Sequence, residues 1–176
     1  MLETLKAIAK EAGEVIMTMY ERRDYKTSEK HDDSPVTTAD IIASELIEDR
    51  LKQHFPHIPV LSEESDHENY NERRKWSSYF LIDPIDGTQE FIARSGDFAV
   101  NIAYVSNNEP EMGVIFWPVG EAIYYAEKGR GAYKEDAVER QKISVRQLQN
   151  PESDPLIIAI SRRQAREPVL SRMQTQ

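Results

Sequence analysis

The segment that most constrains the fold is Phe80–Thr88, in which an apolar run leads directly into two acidic residues, a glycine and a threonine. The apolar part, Tyr79–Ile82, predicts a buried β-strand. The end of a strand presents its side chains at the edge of a sheet. Asp83 and Asp86 therefore follow the strand at a place that a ligand can reach.

The two carboxylates have the spacing and surroundings of a metal site. Pro84 favours an extended Asp83, while Ile85 can bury its side chain and turn its carbonyl outward. Asp83, the Ile85 carbonyl and Asp86 can then converge on a hard cation. Oxygen ligands at this density favour Mg²⁺ or Mn²⁺ over Zn²⁺.

Gly87 and Thr88 follow the acidic residues and predict the start of a short helix that reaches Phe91. The free backbone amides of such a helix start can bind a phosphate oxygen. A second acidic pair, Glu63 and Glu64, would lie beside the first if the two strands are neighbours. Two cations held in this way can generate a hydroxide and clamp a phosphate without a covalent intermediate.

Each motif has other interpretations. Asp-Pro and Asp-Gly are common turn formers, and Glu-Glu is usually a solvated pair. Haloacid-dehalogenase-type phosphatases end a strand in Asp-x-Asp-Gly-Thr and use the first Asp as nucleophile, whereas the spacing here is Asp-x-x-Asp. The four histidines have no metal-ligand spacing and are predicted to be surface or capping residues: His31, His54, His57 and His67.

Two amphipathic helices are predicted before the strands. Apolar residues recur at helical spacing over the first twenty residues, and a second helix is predicted from Thr38 to Pro56. The Thr38 hydroxyl can cap this helix, and Asp40 lies in its first turn, where the helix dipole favours an acid. The residues predicted to face the core are Ile42, Leu46, Ile47, Leu51 and Phe55.

The rest of the chain predicts a sheet. Arg22–Asp33 is polar and aperiodic, which predicts a loop, and Pro35 favours an extended Val36–Thr37. Turn residues at Asn107–Pro110 and Gly129–Gly131 predict hairpins. The predicted strands are Val60–Leu61, Tyr79–Ile82, Ala99–Val105, Met112–Trp117, Ala122–Ala126 and Ile157–Ile160. We therefore expect an α+β fold, with two helices on one face of a largely antiparallel sheet.

Composition excludes several classes of function. The chain has 176 residues, no cysteine and a formal net charge of −9, so neither disulfides nor a thiolate zinc site is available to it. The acidic balance argues against binding to a nucleic-acid backbone. Without a transmembrane run or a signal-peptide pattern, the sequence predicts a cytoplasmic protein.

Three motifs resemble, in order and separation, the signature of the inositol monophosphatase-like, lithium-sensitive phosphatases. They are Pro35–Asp40, Ser62–Ser65 and Asp83–Thr88. Within that superfamily, three longer stretches are most similar to the CysQ-type 3'(2'),5'-bisphosphate nucleotidases. These are Ser34–Thr37, Pro59–Glu64 and Asp86–Ile92. The resemblance runs from the first helix to Arg162.

The resemblance implies a role for each matching residue. The implied ligands of two or three Mg²⁺ ions, or of Mn²⁺, are Glu63, Asp83, the Ile85 carbonyl and Asp86. The implied contacts to the substrate phosphate are Glu63, Ile85, Asp86, Gly87 and Thr88. The implied catalytic residues, which orient or deprotonate the attacking water, are Asp40, Glu64 and Thr88.

The resemblance also implies a reaction, the hydrolysis of 3'-phosphoadenosine 5'-phosphate to AMP and phosphate in sulfate assimilation. It implies cytoplasmic placement, for some relatives at the inner face of the membrane. Because family members continue into a second α/β domain, we expect residues 1–160 to form the metal- and phosphate-binding domain and 161–176 to be a short remnant or the start of that second domain. Without that second domain, the phosphatase activity of the chain would be impaired. The alternatives are an inositol-phosphate phosphatase and a non-catalytic fragment that self-associates through the face left by the missing domain.

Overall fold

The computed structural model describes residues 1–30, 34–65 and 69–147, together with residues 150, 155 and 157. Four helices and nine strands lie in these ranges. In chain order they are α1 (Leu2–Arg22), β1 (Thr27–Glu29), β2 (Pro35–Thr37), α2 (Thr38–His54), β3 (Val60–Ser62), α3 (Tyr70–Arg73), β4 (Ser78–Asp86), α4 (Thr88–Ile92), β5 (Ala99–Ser106), β6 (Glu109–Trp117), β7 (Ala122–Glu127), β8 (Gly131–Glu135) and β9 (Arg140–Ile143).

The main sheet has seven strands in the order β3-β4-β5-β6-β7-β8-β9. The β3–β4 pair is parallel, and every later pair is antiparallel. Strands β1 and β2 form a separate antiparallel hairpin ahead of α2. The predicted α+β class with a largely antiparallel sheet is confirmed.

Helices α1 and α2 cover one face of the sheet, as predicted. Side chains from α1, α2 and the sheet form one apolar cluster in which Leu5, Ile47 and Phe80 are fully buried. The approach of α1 is close, because a Cβ built on Gly13 would clash with the ring of Phe116. Burial of this surface supplies the main driving force for folding.

The second helix begins where predicted, but its cap and its buried face differ from the prediction. Thr37 is the N-cap instead of Thr38, since its side chain accepts from the Ala39 amide at 3.2 Å. Ile42 is 41% exposed, which contradicts its predicted burial. The buried stripe instead passes through Ala43, because small residues let α2 approach its neighbours closely. Its apolar members are Ala39, Ala43, Ile47 and Leu51.

Several strands depart from the sequence prediction. The predicted loop Arg22–Asp33 contains strand β1, and in the predicted hairpin Asn107–Pro110 only the two asparagines form the turn. Strands β8 and β9, and the short helix α3, were not predicted. The Gly129–Gly131 hairpin is confirmed, because it joins β7 to β8.

By packing, the chain divides into two units, Met1–Ser144 and Val145–Gln176. The predicted strand Ile157–Ile160 and the remnant 161–176 lie outside the described residues, apart from Ile157. The assignment of a domain to residues 1–160 stays a prediction. Within the described ranges, none of the helices combines the length and the apolar character needed to span a membrane.

Candidate metal and phosphate site

The two acidic motifs meet at one end of the sheet. Strands β3 and β4 are parallel neighbours, with Ser62 opposite Ile82. The Glu63 amide continues this pairing, because it donates to the Ile82 carbonyl oxygen at 3.2 Å. Glu63 therefore follows β3 alongside Asp83 on β4. The prediction that the two pairs would be adjacent if their strands were neighbours is confirmed.

A bulge in β4 separates the two aspartates of the second motif. Asp83 pairs with Asn101 on β5 and Asp86 pairs with Ala99, so the register shifts between them. Asn101 Nδ2 donates to Asp86 Oδ2 at 3.0 Å and fixes the orientation of this carboxylate. Asn101 was not among the predicted site residues. The available signal was a single amide side chain within the largely apolar strand β5.

Helix α4 starts directly after the aspartates, as predicted. Gly87 has φ 99°, and a Cβ at this position would lie 2.8 Å from the Asp97 carbonyl oxygen, so the turn requires glycine. The ring of Phe91 anchors the helix among aromatic rings of α1 and its following loop, 5.2 Å from Tyr20 and 4.8 Å from Tyr25. The core thus holds α4 against the end of the sheet.

Asp40 links α2 to α4. Its carboxylate is fully buried, and its Oδ2 accepts from the Thr37 amide at 2.8 Å and from the Thr37 hydroxyl at 2.6 Å. Its Oδ1 accepts from the Thr88 hydroxyl at 2.9 Å. The Ile85 carbonyl oxygen is 3.2 Å from the same hydroxyl, whose single proton can serve only one of these acceptors at a time.

Four other carboxylates repel a negative charge on Asp83. Burial raises the pKa of Asp83 to about 7, and repulsion by Glu63, Asp86, Glu64 and Asp40 adds to the effect. Burial also raises the pKa of Glu64, although Lys30 opposes this change. The site therefore concentrates more negative charge than its own groups neutralise.

Lys30, which lies in the predicted polar loop, supplies the positive charge. Its Nζ lies 2.7 Å from a carboxylate oxygen of both Glu63 and Glu64. Burial lowers the pKa of Lys30, but its bonds to the two glutamates outweigh burial and raise the pKa overall. No local pattern in the sequence indicates that this loop returns to the site.

The donor groups fit a hard divalent cation, because they are all oxygens and they crowd negative charge in one place. Within the described ranges, no three Asp, Glu or His side chains are already gathered as a ligand set. Binding of a cation by the predicted ligands would thus require the side chain of Glu63 to turn from Lys30 toward Asp83 and Asp86. His54 and His57 are exposed, as predicted, and His31 and His67 lie outside the described residues.

A shallow hollow of about 590 Å³ adjoins the site on the sheet face away from α1 and α2. Glu63, Asp83 and Asn101 line its polar end, while Leu81 and Ile115 line its apolar part. The acidic groups therefore border open space as well as the core.

Known proteins share the sequence and fold that carry this site. The profile of the inositol monophosphatase family matches residues 1–175. The chain is 43% identical over 163 residues to the 3'(2'),5'-bisphosphate nucleotidase CysQ of Salmonella typhimurium, covering 92% of this chain and 63% of that protein. It is 41% identical over 166 residues to CysQ of Escherichia coli K12, covering 94% and 65%.

Solved structures show the same fold. The crystal structure of CysQ from Bacteroides thetaiotaomicron superposes with a TM-score of 0.70 at 36% identity, covering 99% of this chain and 67% of that one. The inositol monophosphatase of Thermotoga maritima gives a TM-score of 0.67 at 31% identity, covering 78% and 51%. The chain spans 63–65% of the length of the two CysQ sequences it matches.

Proposed function

The chain belongs to the inositol monophosphatase family, and we propose that it carries the metal- and phosphate-binding site of a magnesium-dependent phosphomonoesterase. The observation that carries this proposal is the convergence on Asp83 of negative charge from Glu63, Glu64, Asp86 and Asp40. A protein that only needed a turn after β4 would gain nothing from burying these charges together. A divalent cation would offset them.

The proposed ligands of the cation are Glu63, Asp83, the Ile85 carbonyl and Asp86, with two or three Mg²⁺ ions, or Mn²⁺, as the natural occupants. When bound, such a cation polarises a phosphoryl oxygen and lowers the pKa of a coordinated water. Asn101 holds Asp86 in a fixed orientation through its 3.0 Å hydrogen bond. Support of this kind normally sharpens the geometry of a metal site.

The proposed catalytic pair is Thr88 and Asp40. When the Thr88 hydroxyl donates to Asp40 Oδ1, its oxygen is left as an acceptor for one O–H bond of a water. Asp40 cannot rotate away, because Thr37 holds its other oxygen with two hydrogen bonds. The pair can therefore hold a water in one orientation, which is the main requirement for in-line attack on a phosphate.

Glu64 and Gly87 are the remaining residues with proposed roles, in proton uptake and in phosphate binding. The pKa of Glu64 is raised, chiefly by burial, which suits a group that takes up a proton from water. Gly87 exposes the backbone at the start of α4, where the phosphate of the substrate would bind together with Thr88. Glu63, the Ile85 carbonyl and Asp86 would also take part in binding the substrate phosphate, through the cations that they would hold.

The proposed substrate is 3'-phosphoadenosine 5'-phosphate, hydrolysed to AMP and phosphate, a recycling step in sulfate assimilation. The support is the similarity to proteins named 3'(2'),5'-bisphosphate nucleotidase, at 41–43% identity over more than nine-tenths of this chain. Structural similarity to an inositol monophosphatase supports a second candidate of the same chemistry, an inositol-phosphate phosphatase.

Phosphate release from the two esters tests the proposal. We expect release from 3'-phosphoadenosine 5'-phosphate with Mg²⁺ and none with EDTA, and a loss of about 100-fold or more in Asp86→Ala. Glu109→Ala, at an exposed carboxylate on β6, is the matched control and should keep full activity. Faster release from inositol 1-phosphate would favour the second candidate. Activity that survives EDTA or Asp86→Ala would contradict the metal site.

A non-catalytic role is also favoured by one observation. Leu81 and Ile115 are 44% and 49% exposed on the sheet face away from α1 and α2. Exposed apolar groups in one place are typical of an interaction surface. Sedimentation velocity at several concentrations tests self-association, since a monomer at all concentrations would contradict it.

A further inference from the structure

The loop that carries Glu63 and Glu64 is tied to helix α2 by buried hydroxyl groups. Ser62, the last residue of β3, is 1% exposed, and its Oγ accepts from the Glu64 amide at 3.2 Å. The same oxygen lies 2.6 Å from Ser44 Oγ on α2. Ser44 is 3% exposed, so water does not compete with this contact.

Glu48, one helical turn after Ser44, ends the chain of hydroxyls. Its Oε1 accepts from the Ser44 hydroxyl at 3.3 Å and from the Ser65 hydroxyl at the far end of the loop. Its Oε2 accepts from Lys52 at 3.0 Å. Glu48 thus contacts both the start and the end of the segment 62–65, the first through Ser44 and the second directly.

The directions of these hydrogen bonds follow from the chemistry of the groups. An ionised carboxylate only accepts, so in the Ser44–Glu48 hydrogen bond Ser44 is the donor. When the Ser44 proton serves Glu48, the Ser62 proton points to Ser44, which leaves the lone pairs of Ser62 for the Glu64 amide. Although burial would raise the pKa of Glu48, hydrogen bonds from Ser65 and Lys52 outweigh burial and lower it, so the acceptor stays charged.

We propose that Glu48 is a positioning residue that holds the segment 62–65 at the end of β3, so that Glu63 and Glu64 stay beside Asp83 and within reach of the site. The inference rests on the proposed function for the roles of Glu63 as a metal ligand and Glu64 as a proton acceptor, and on the hydrogen bonds alone for the order of the loop. Glu48 itself acts only through the serines. A purely structural role, an i,i+4 ion pair with Lys52 on the surface of α2, is the simpler alternative.

Four variants separate these roles. Glu48→Ala removes the acceptor, whereas Glu48→Gln keeps an oxygen that both serines can bind. Lys52→Gln removes the ion pair and leaves the hydroxyl chain intact. Glu45→Ala, at an exposed carboxylate on the same helix, is the matched control.

The first readout is amide hydrogen exchange at Glu64, measured by NMR without metal. We expect its protection to fall at least about fivefold in Glu48→Ala and to stay near wild type in Glu48→Gln, Lys52→Gln and Glu45→Ala. The second readout is the dissociation constant of Mg²⁺, which we expect to rise about ten- to a hundredfold in Glu48→Ala only. Circular dichroism establishes that each variant is folded.

The outcomes separate this inference from the proposed function. Unchanged Glu64 protection in Glu48→Ala would overturn the inference, as would an equal loss in Lys52→Gln. Lost protection with unchanged Mg²⁺ affinity would show that Glu48 orders the loop but that the position of Glu63 does not affect metal binding, which contradicts the positioning role. If wild type binds no Mg²⁺, the proposed function fails, and the exchange data still decide whether Glu48 orders the loop.

Discussion

The two faces of the seven-stranded sheet differ sharply, even between neighbouring residues of one strand. Phe80 is fully buried beneath the helices, while Leu81 is 44% exposed on the other face. On the covered face, packing and paired charges leave little freedom for substitution. On the open face and at the adjoining strand end, apolar surface and unneutralised acids remain. Stability therefore comes mainly from one face, and the candidate chemistry lies where the other begins.

The largest expected effect comes from the covered face. Phe80→Ala removes a ring that contacts Phe55 and Tyr104, and should lower the free energy of unfolding by about 3–5 kcal/mol. Leu81→Ala, one residue away, should cost less than about 1 kcal/mol because its side chain is already partly in water. Urea denaturation measures both. Equal losses would show that the open face is not open in solution.

On the covered face a buried lysine is matched by one glutamate, whereas at the site Lys30 offsets only part of the negative charge around Asp83. Lys6 is 7% exposed and donates to Glu135 at 2.7 Å. Glu135→Gln should therefore lower the free energy of unfolding by about 1–3 kcal/mol at pH 7. Lys52→Gln, at an exposed ion pair, is the control and should have a much smaller effect.

The pH dependence of the same pair has a definite sign. The Lys6 hydrogen bond lowers the pKa of Glu135 below its usual 4.5, even though burial opposes it. The stabilisation is thus present above pH 4.5 and lost as pH falls through the lower, folded-state pKa. The difference between wild type and Glu135→Gln should shrink below pH 4.5. A difference that grows with acidity would contradict this pairing.

Substitution of one glycine on each side of the sheet tests how much room each face leaves for an added methyl group. In Gly13→Ala the new Cβ would meet Phe116, so we expect a loss of about 1–3 kcal/mol in spite of the better helix propensity of alanine. Gly113 lies on the open face, where an added Cβ would have nothing within 4 Å, and Gly113→Ala should be neutral. Thermal unfolding of both variants is the measurement. A loss in the second variant as large as in the first would remove the contrast.

The smallest expected change has the opposite sign. Asp83→Asn removes a partly buried charge that four carboxylates repel, so in EDTA it should raise the free energy of unfolding by about 1 kcal/mol. Asp136→Asn, whose carboxylate accepts two backbone hydrogen bonds, should not stabilise. Thermal unfolding in EDTA measures the change. Destabilisation by Asp83→Asn would show that the acid serves the fold.

The sequence predicted local elements better than long-range pairing. The start of α4 after Gly87 and the end of α2 before Pro56 follow from residues that restrict their own backbone conformation. Strands β8 and β9 were missed because their residues are half-buried or exposed and take their order from β7. Ile42 was predicted to be buried because it is apolar. The side of α2 that packs against the core is instead the one that carries Ala39 and Ala43, and apolar character alone does not indicate this.

The candidate site shows the same limit. Asp83, Asp86, Gly87 and Thr88 could be proposed together because they are contiguous in sequence. Lys30 and Asn101 reach them from other elements, through β-pairing and a loop that no local pattern encodes. Their contribution depends on folding, and only the structure reveals it.

The central claim is that the acids around Asp83 form a divalent-cation site. Isothermal titration of Mg²⁺ into the intact chain tests it most directly, with Asp83→Asn as the site variant and Glu109→Gln as the surface control. We predict saturable binding to wild type and to Glu109→Gln, and an affinity about ten- to a hundredfold weaker in Asp83→Asn. Absence of binding to folded wild type at millimolar Mg²⁺, or equal affinities in all three proteins, would contradict the account.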